Sequence, residues 1–133
     1  MVASLLRPGG FLFLREGHPI LWTVDERLED DVHLGFPYWE TVDPLAWDDA
    51  STYVETTREL TATKTYEWNH SLGEIITALI DAGLRIDLLV EHDSVPWEAL
   101  PGQMTMRDGG EWALRDRPER MPLSYSLRAT RAD

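Results

Sequence analysis

Two carboxylate–imidazole neighbourhoods are the first places in this chain where chemistry could be built. Glu16 and His18 stand two residues apart, directly after the apolar run Phe11-Leu12-Phe13-Leu14. An imidazole titrates near neutrality, so His18, with Glu16 beside it, is a candidate catalytic group to orient or deprotonate a bound acceptor. The plainer alternative makes both of them polar loop residues bonded to backbone. His92 and Asp93 follow a second apolar run, and Asn69 and His70 precede Ser71. His70 reads either as a residue at a helix start or as a substrate contact. Together Glu16, His18, His70, His92 and Asp93 supply nitrogen and oxygen donors, yet no His-x-x-x-His or other diagnostic spacing occurs, so no metal is expected.

A second group is aromatic. Tyr38, Trp39, Trp47, Tyr53, Tyr66 and Trp68 crowd into residues 25–70. Aromatic rings dominate burial, so they serve either as the core of that segment or as the lining of an apolar acceptor pocket. Tyr38, Trp39, Tyr66, Trp68 and His70 are the candidate substrate-binding residues. Other chemistries lack their parts. There is no cysteine, hence no disulfide, thiolate zinc site or cysteine nucleophile. Lys64 is the only lysine, and neither a Gly-x-x-x-x-Gly-Lys-Ser/Thr phosphate loop nor a Gly-x-Ser-x-Gly elbow is present.

The elements that must position these residues follow from periodicity. Met1 to Arg7 reads as the last turns of a helix stopped by Pro8-Gly9-Gly10. Phe11 to Leu14 is apolar on both faces, the pattern of a central strand covered by helices on each side. Residues 25–31 form an acidic loop. Ser51 to Thr57 and Ala62 to Trp68 are β-prone runs that suggest an antiparallel hairpin. Leu72, Ile75, Ile76, Leu79 and Ile80 make one apolar helical stripe, with Ser71 and Glu74 spaced as a capping box and Gly83 placed to end the helix. Arg85 to Glu91 reads as a strand. Residues 94–120, broken by prolines and glycines, read as a long loop. Leu123 to Thr130 alternates apolar and polar, the mark of a strand with one buried face. The order strand–helix–strand places the first and second core strands parallel, and the last strand antiparallel.

Charge narrows the partners. Twelve Lys+Arg against 24 Asp+Glu give a formal net charge of −12. Nucleic acid and anionic membranes both require a cationic face, so neither is expected as a partner. No apolar run reaches the ~20 residues of a membrane span. A small-molecule ligand and a cytoplasmic setting are the expectation.

In this order the segments resemble a known family. Ser4 to Pro19 (SLLRPGGFLFLREGHP) looks like the helix, Pro-Gly-Gly turn and fifth strand of a class I S-adenosylmethionine-dependent methyltransferase of the small bacterial type. Thr65 to Asp93 is similar to the following helix and sixth strand, and Met121 to Arg131 to the antiparallel seventh strand, which inserts between the fifth and sixth. The resemblance implies an α/β fold. It would be the C-terminal half of a Rossmann-like sheet, with two parallel strands, one antiparallel strand and an aromatic-rich insertion hairpin. Residues 1–24 and 71–133 would form the sheet and helix core, and 25–70 the substrate-side insertion of a single partial domain. It also implies methyl transfer to a small molecule. In that family a Gly-rich turn after the first strand and an acidic residue ending the second hold the cofactor. The nine glycines here never occur as Gly-x-Gly. The chain is therefore expected to be the substrate-side fragment, to bind S-adenosylmethionine poorly by itself, and to associate with itself as a homodimer or higher oligomer through its two-faced apolar strand. The alternative is a non-catalytic oligomeric module that uses the aromatic insertion to bind a ligand.

Overall fold

The computed structural model describes residues 2–48 and 61–132. Its order is α1 (Val2–Leu5), β1 (Phe11–Gly17), β2 (Leu45–Asp48), β3 (Lys64–Glu67), α2 (Leu72–Asp81), β4 (Leu84–His92), β5 (Met104–Met106), β6 (Trp112–Leu114) and β7 (Ser124–Arg131), with single helical turns at Leu21–Thr23 and Pro118–Arg120. The class is mixed α/β, and every hydrogen-bonded strand pair among the described residues is antiparallel.

The main sheet has the order β1-β7-β4. β7 is antiparallel to both neighbours, so β1 and β4 run in the same direction without touching each other. The two strands expected to be parallel therefore share a direction, but no parallel strand pair forms among the described residues. Register divides the side chains into two faces. Leu12, Ala129 and Ile86 form one row, and Leu14, Leu127 and Leu89 the next. This face lies under α2, where Leu72, Ile75, Ile76 and Leu79 pack with Leu84, Tyr125, Leu127 and Ala129. The helix begins as its sequence requires. Ser71 Oγ accepts from the Glu74 N–H at 3.2 Å, and the Glu74 carboxylate accepts from the Ser71 N–H at 2.6 Å. At the other end Gly83 takes a φ of +78°, which costs little without a Cβ.

The opposite face corrects the reading of Phe11 to Leu14 as a central strand. β1 is an edge strand, and β7 is the central one. Phe11 and Phe13 are 52% and 55% exposed, and Leu88 and Val90, across β7 from them, are 41% and 40% exposed. The loop carrying Ser94 and Glu111 reaches Ser124 and Arg15 at one end of this face, while Phe11 and Phe13 at the other end stand half open to solvent. At that open end the Arg128 guanidinium lies 4.4 Å from the centroid of the Phe11 ring. The run looked two-sided because its outer rings are apolar. Two-sided burial also needs a second cover layer, which the described residues provide only at one end of the face.

The segment expected as a long loop is a second correction. It carries the β5–β6 hairpin and a core of its own, in which Val95, Leu100, Met104, Leu114 and Leu123 pack with Leu21 and Val24. The acidic stretch is tied to it rather than simply solvated. Asp31 pairs with Arg120 at 2.7 Å, and Gln103 Nε2 donates to the Leu28 carbonyl at 2.9 Å. In the insertion, β3 lies within the run Ala62 to Trp68, but its partner is β2. Ser51 to Thr57 lies outside the described residues.

Burial sets the expected cost of substitutions. Leu127 is fully buried at the centre of the sheet, so Leu127→Ala should lower the unfolding free energy by about 2–5 kcal/mol. Ser71→Ala, which removes the cap, should cost about 1 kcal/mol. Phe13→Ala should cost less than Leu127→Ala, because half of the ring already meets solvent. Chemical denaturation of the three variants would check the ranking.

Candidate functional site

The carboxyl ends of β1 and β4 meet the start of β7, and the sequence-predicted pair sits there. One row across the sheet holds Glu16, Tyr125 and Glu91. His18 follows β1 immediately and is 5% exposed. Its Nδ1 accepts from the Ile20 N–H at 3.1 Å, which leaves the proton on Nε2. Nε2 donates to Glu91 Oε1 at 2.9 Å. The ring also meets the Tyr125 ring edge-on, with centroids 6.0 Å apart. Backbone bonds hold the loop: the His18 N–H donates to the Leu123 carbonyl at 2.9 Å, and the Leu21 N–H to the His18 carbonyl at 2.8 Å.

Electrostatics follows from this packing. Burial pushes the His18 imidazole below its ordinary pKa, and the adjacent Glu91 carboxylate only partly opposes this. The Tyr125 phenol is pushed up, chiefly by burial and then by the Glu16 charge. His18 is therefore a neutral ring with both nitrogens engaged. The half-exposed carboxylate of Glu91 accepts the imidazole N–H and keeps its other side open to solvent. Glu16 accepts from the Gly17 N–H at 2.9 Å, a local backbone bond.

The aromatic candidates separate. A cavity of about 620 Å³ lies under the β2–β3 hairpin, within the usual size for a small-molecule site. Trp22, Phe36, Trp47 and Trp68 supply its rings, and Leu45, Thr65 and Glu67 the hairpin floor. In a strand alternate side chains face opposite ways, so Thr65 and Glu67 line the cavity while Tyr66, opposite Ala46, does not and stands exposed. Tyr38 and Trp39 meet edge-to-face at 5.4 Å and line a neighbouring recess of about 400 Å³. The Tyr38 hydroxyl accepts from the Leu72 N–H at 3.4 Å, at the start of α2. His70 is exposed, 3.8 Å from Glu40, and lines neither space. Tyr53 lies outside the described residues.

The two neighbourhoods are joined. Asn69, in the cavity wall, donates to the carbonyls of Pro19 at 2.9 Å and Pro37 at 3.2 Å. Trp22 lies over the end of β1, where a Cβ on Gly17 would come within 2.5 Å of the indole. Gly17 is thus the residue that lets the cavity wall approach the His18 loop. Sequence reading passed over Glu91, Trp22 and Phe36. The first sat inside an ordinary strand pattern, and the other two lay in segments without periodicity. Among the described residues, no three His, Asp or Glu side chains come together to hold a metal ion. No helix there is long and apolar enough to cross a membrane.

Comparisons with family models, curated proteins and solved structures each found no match for this chain.

His18 should make stability depend on pH. Its folded pKa lies below the unfolded value of about 6.5, so the unfolded chain binds a proton first as pH falls. The stability that neutral His18 contributes is complete above about pH 6.5 and declines as pH drops towards the folded value. Denaturation midpoints measured from about pH 7.5 to about 5.5 should fall in the native chain and flatten in His18→Gln. Equal slopes would remove His18 from this role.

Proposed function

We propose that this chain is the substrate-side half of a small-molecule S-adenosylmethionine-dependent methyltransferase with a Rossmann-like sheet. The observation that carries the reading is topological. Two co-directional strands, β1 and β4, are linked through helix α2, and the last strand lies antiparallel between them. That is the arrangement the resemblance implies for the fifth, sixth and seventh strands. The free edge of β1 and the half-exposed face of Phe11, Phe13, Leu88 and Val90 are where the rest of such a sheet and its second helical layer would pack.

The cofactor itself does not fit the residues of this chain. No strand among the described residues runs into a Gly-rich turn that opens a helix: β1 ends at Gly17 and is followed by His18 and Pro19, and α2 is entered from β3 through Trp68, Asn69, His70 and Ser71. No step is assigned to the cofactor here. What this chain contributes is acceptor positioning: the aromatic cavity holds the acceptor, and Glu91 takes a proton where the acceptor carries one. Because these residues form no cradle for the cofactor, calorimetry of this chain with S-adenosylmethionine should show no binding up to about 1 mM. The reading frame upstream of Met1 should encode a strand, a Gly-rich turn and a helix. Micromolar binding by this chain alone would overturn the proposal.

The half-exposed face favours a second reading, a non-catalytic module in which two copies close the apolar surface between them about a two-fold axis. Sedimentation should then give a dimer that Phe13→Asp dissociates. A folded monomer at micromolar concentration would exclude it.

A further inference from the structure

The walls of the larger cavity carry more information than its size. Four aromatic rings, Trp22, Phe36, Trp47 and Trp68, surround it, and Glu26 and Glu67 stand in the same wall. No lysine or arginine lines it among the described residues. A neutral apolar ligand set against the Glu67 carboxylate would strip water from it without supplying a counter-charge. A cation supplies one, and aromatic faces attract cations through their quadrupole. One such contact already exists at the rim: the Arg27 guanidinium, itself held by Asp25, lies 5.6 Å from the centroid of Phe36. The indole N–H of Trp47 is buried without an acceptor, which suits a ligand bearing a hydroxyl or carbonyl oxygen as well as its charge.

We infer that this cavity binds a small organic cation, an alkylammonium or methylated ammonium group carrying a nearby oxygen. The role of that cation as methyl acceptor or methylated product rests on the function proposed above; the binding rests only on the cavity walls. Binding depends on the rings for the ammonium face and on Glu67 for charge. Glu67 projects from β3 on the same side as Trp47 and Leu45 on β2.

The probe is choline, paired with its uncharged tert-butyl isostere, in which carbon replaces the nitrogen. Tryptophan fluorescence and calorimetry of the full chain should show choline binding at least about tenfold more tightly than the isostere, a difference of about 1.4 kcal/mol. Glu67→Gln should weaken choline severalfold and leave the isostere unchanged. Trp68→Ala should weaken both. Equal binding of the two probes would overturn the inference in favour of an apolar site. Absence of choline binding in a chain with native circular dichroism would overturn it outright, and choline binding indifferent to Glu67→Gln and Trp68→Ala would remove it from this cavity. The titration with S-adenosylmethionine reads the methyltransferase proposal separately, because neither result depends on the other.

Discussion

The architecture hangs on the pairing of β7 with both of its neighbours. β1 and β4 have no hydrogen bonds to each other, so the main sheet exists only because Ser124–Arg131 lies between them. The same strand supplies Tyr125, Leu127 and Ala129 to the floor on which α2 rests. Its far end closes the amino terminus, where Arg131 Nη1 donates to the Ala3 carbonyl at 3.1 Å and the Leu6 carbonyl at 2.5 Å. Its near end sets the site. The Leu123 N–H donates to the His92 carbonyl, the His18 N–H donates to the Leu123 carbonyl, and the Ser124 hydroxyl donates to the Ser94 carbonyl at 2.6 Å. Contacts between residues over 100 positions apart must form before the core closes, which makes this a fold of non-local pairings.

A second theme is the use of charge. Carboxylates outnumber cations two to one, and among the described residues arginines make most of the ion pairs and histidines the rest. Arg15 grips Glu111 in a two-pronged bond at 2.9 and 2.7 Å, Arg120 and Arg117 share Asp31, and Arg107 holds Asp93. These pairs fasten the loop-borne second core to the sheet and to the acidic stretch. They also leave a surplus of negative groups, and part of that surplus lines the aromatic cavity. The proposed preference for a cation follows from the Glu67 carboxylate standing among aromatic rings in that wall.

How much was legible depended on how local the determining physics is. The capping box of Ser71 and Glu74, the stripe of Leu72, Ile75, Ile76 and Leu79 and the glycine at 83 are all settled within one helix and stand in the structure, while Ile80, expected in the same stripe, is 55% exposed. The alternation from Leu123 to Thr130 matches a strand whose Tyr125, Leu127 and Ala129 are buried, but β7 is central and Ser124 and Ser126 on its other face are buried as well. Residues 94–120 were misread because Val95, Leu100, Met104 and Leu114 follow no helical or strand period, although together they build a core. Tyr66 was misplaced for a related reason. A run of β-prone residues announces a strand, but a shift of one residue in register decides which side chains face the cavity.

The sequence by itself determined the element types with strong local periodicity, the absence of thiol and phosphate-loop chemistry, and the presence of His18 and Glu16 at a strand end. Only the tertiary structure decided that Phe11 to Leu14 is an edge, that His18 is neutral and bound to Glu91, and that Trp22 and Phe36 join Trp47 and Trp68 around one space. Apolar pattern reports that a side chain can be buried. Which other segment arrives to bury it, or to give a ring nitrogen its partner, depends on residues far along the chain, and no window of sequence contains them.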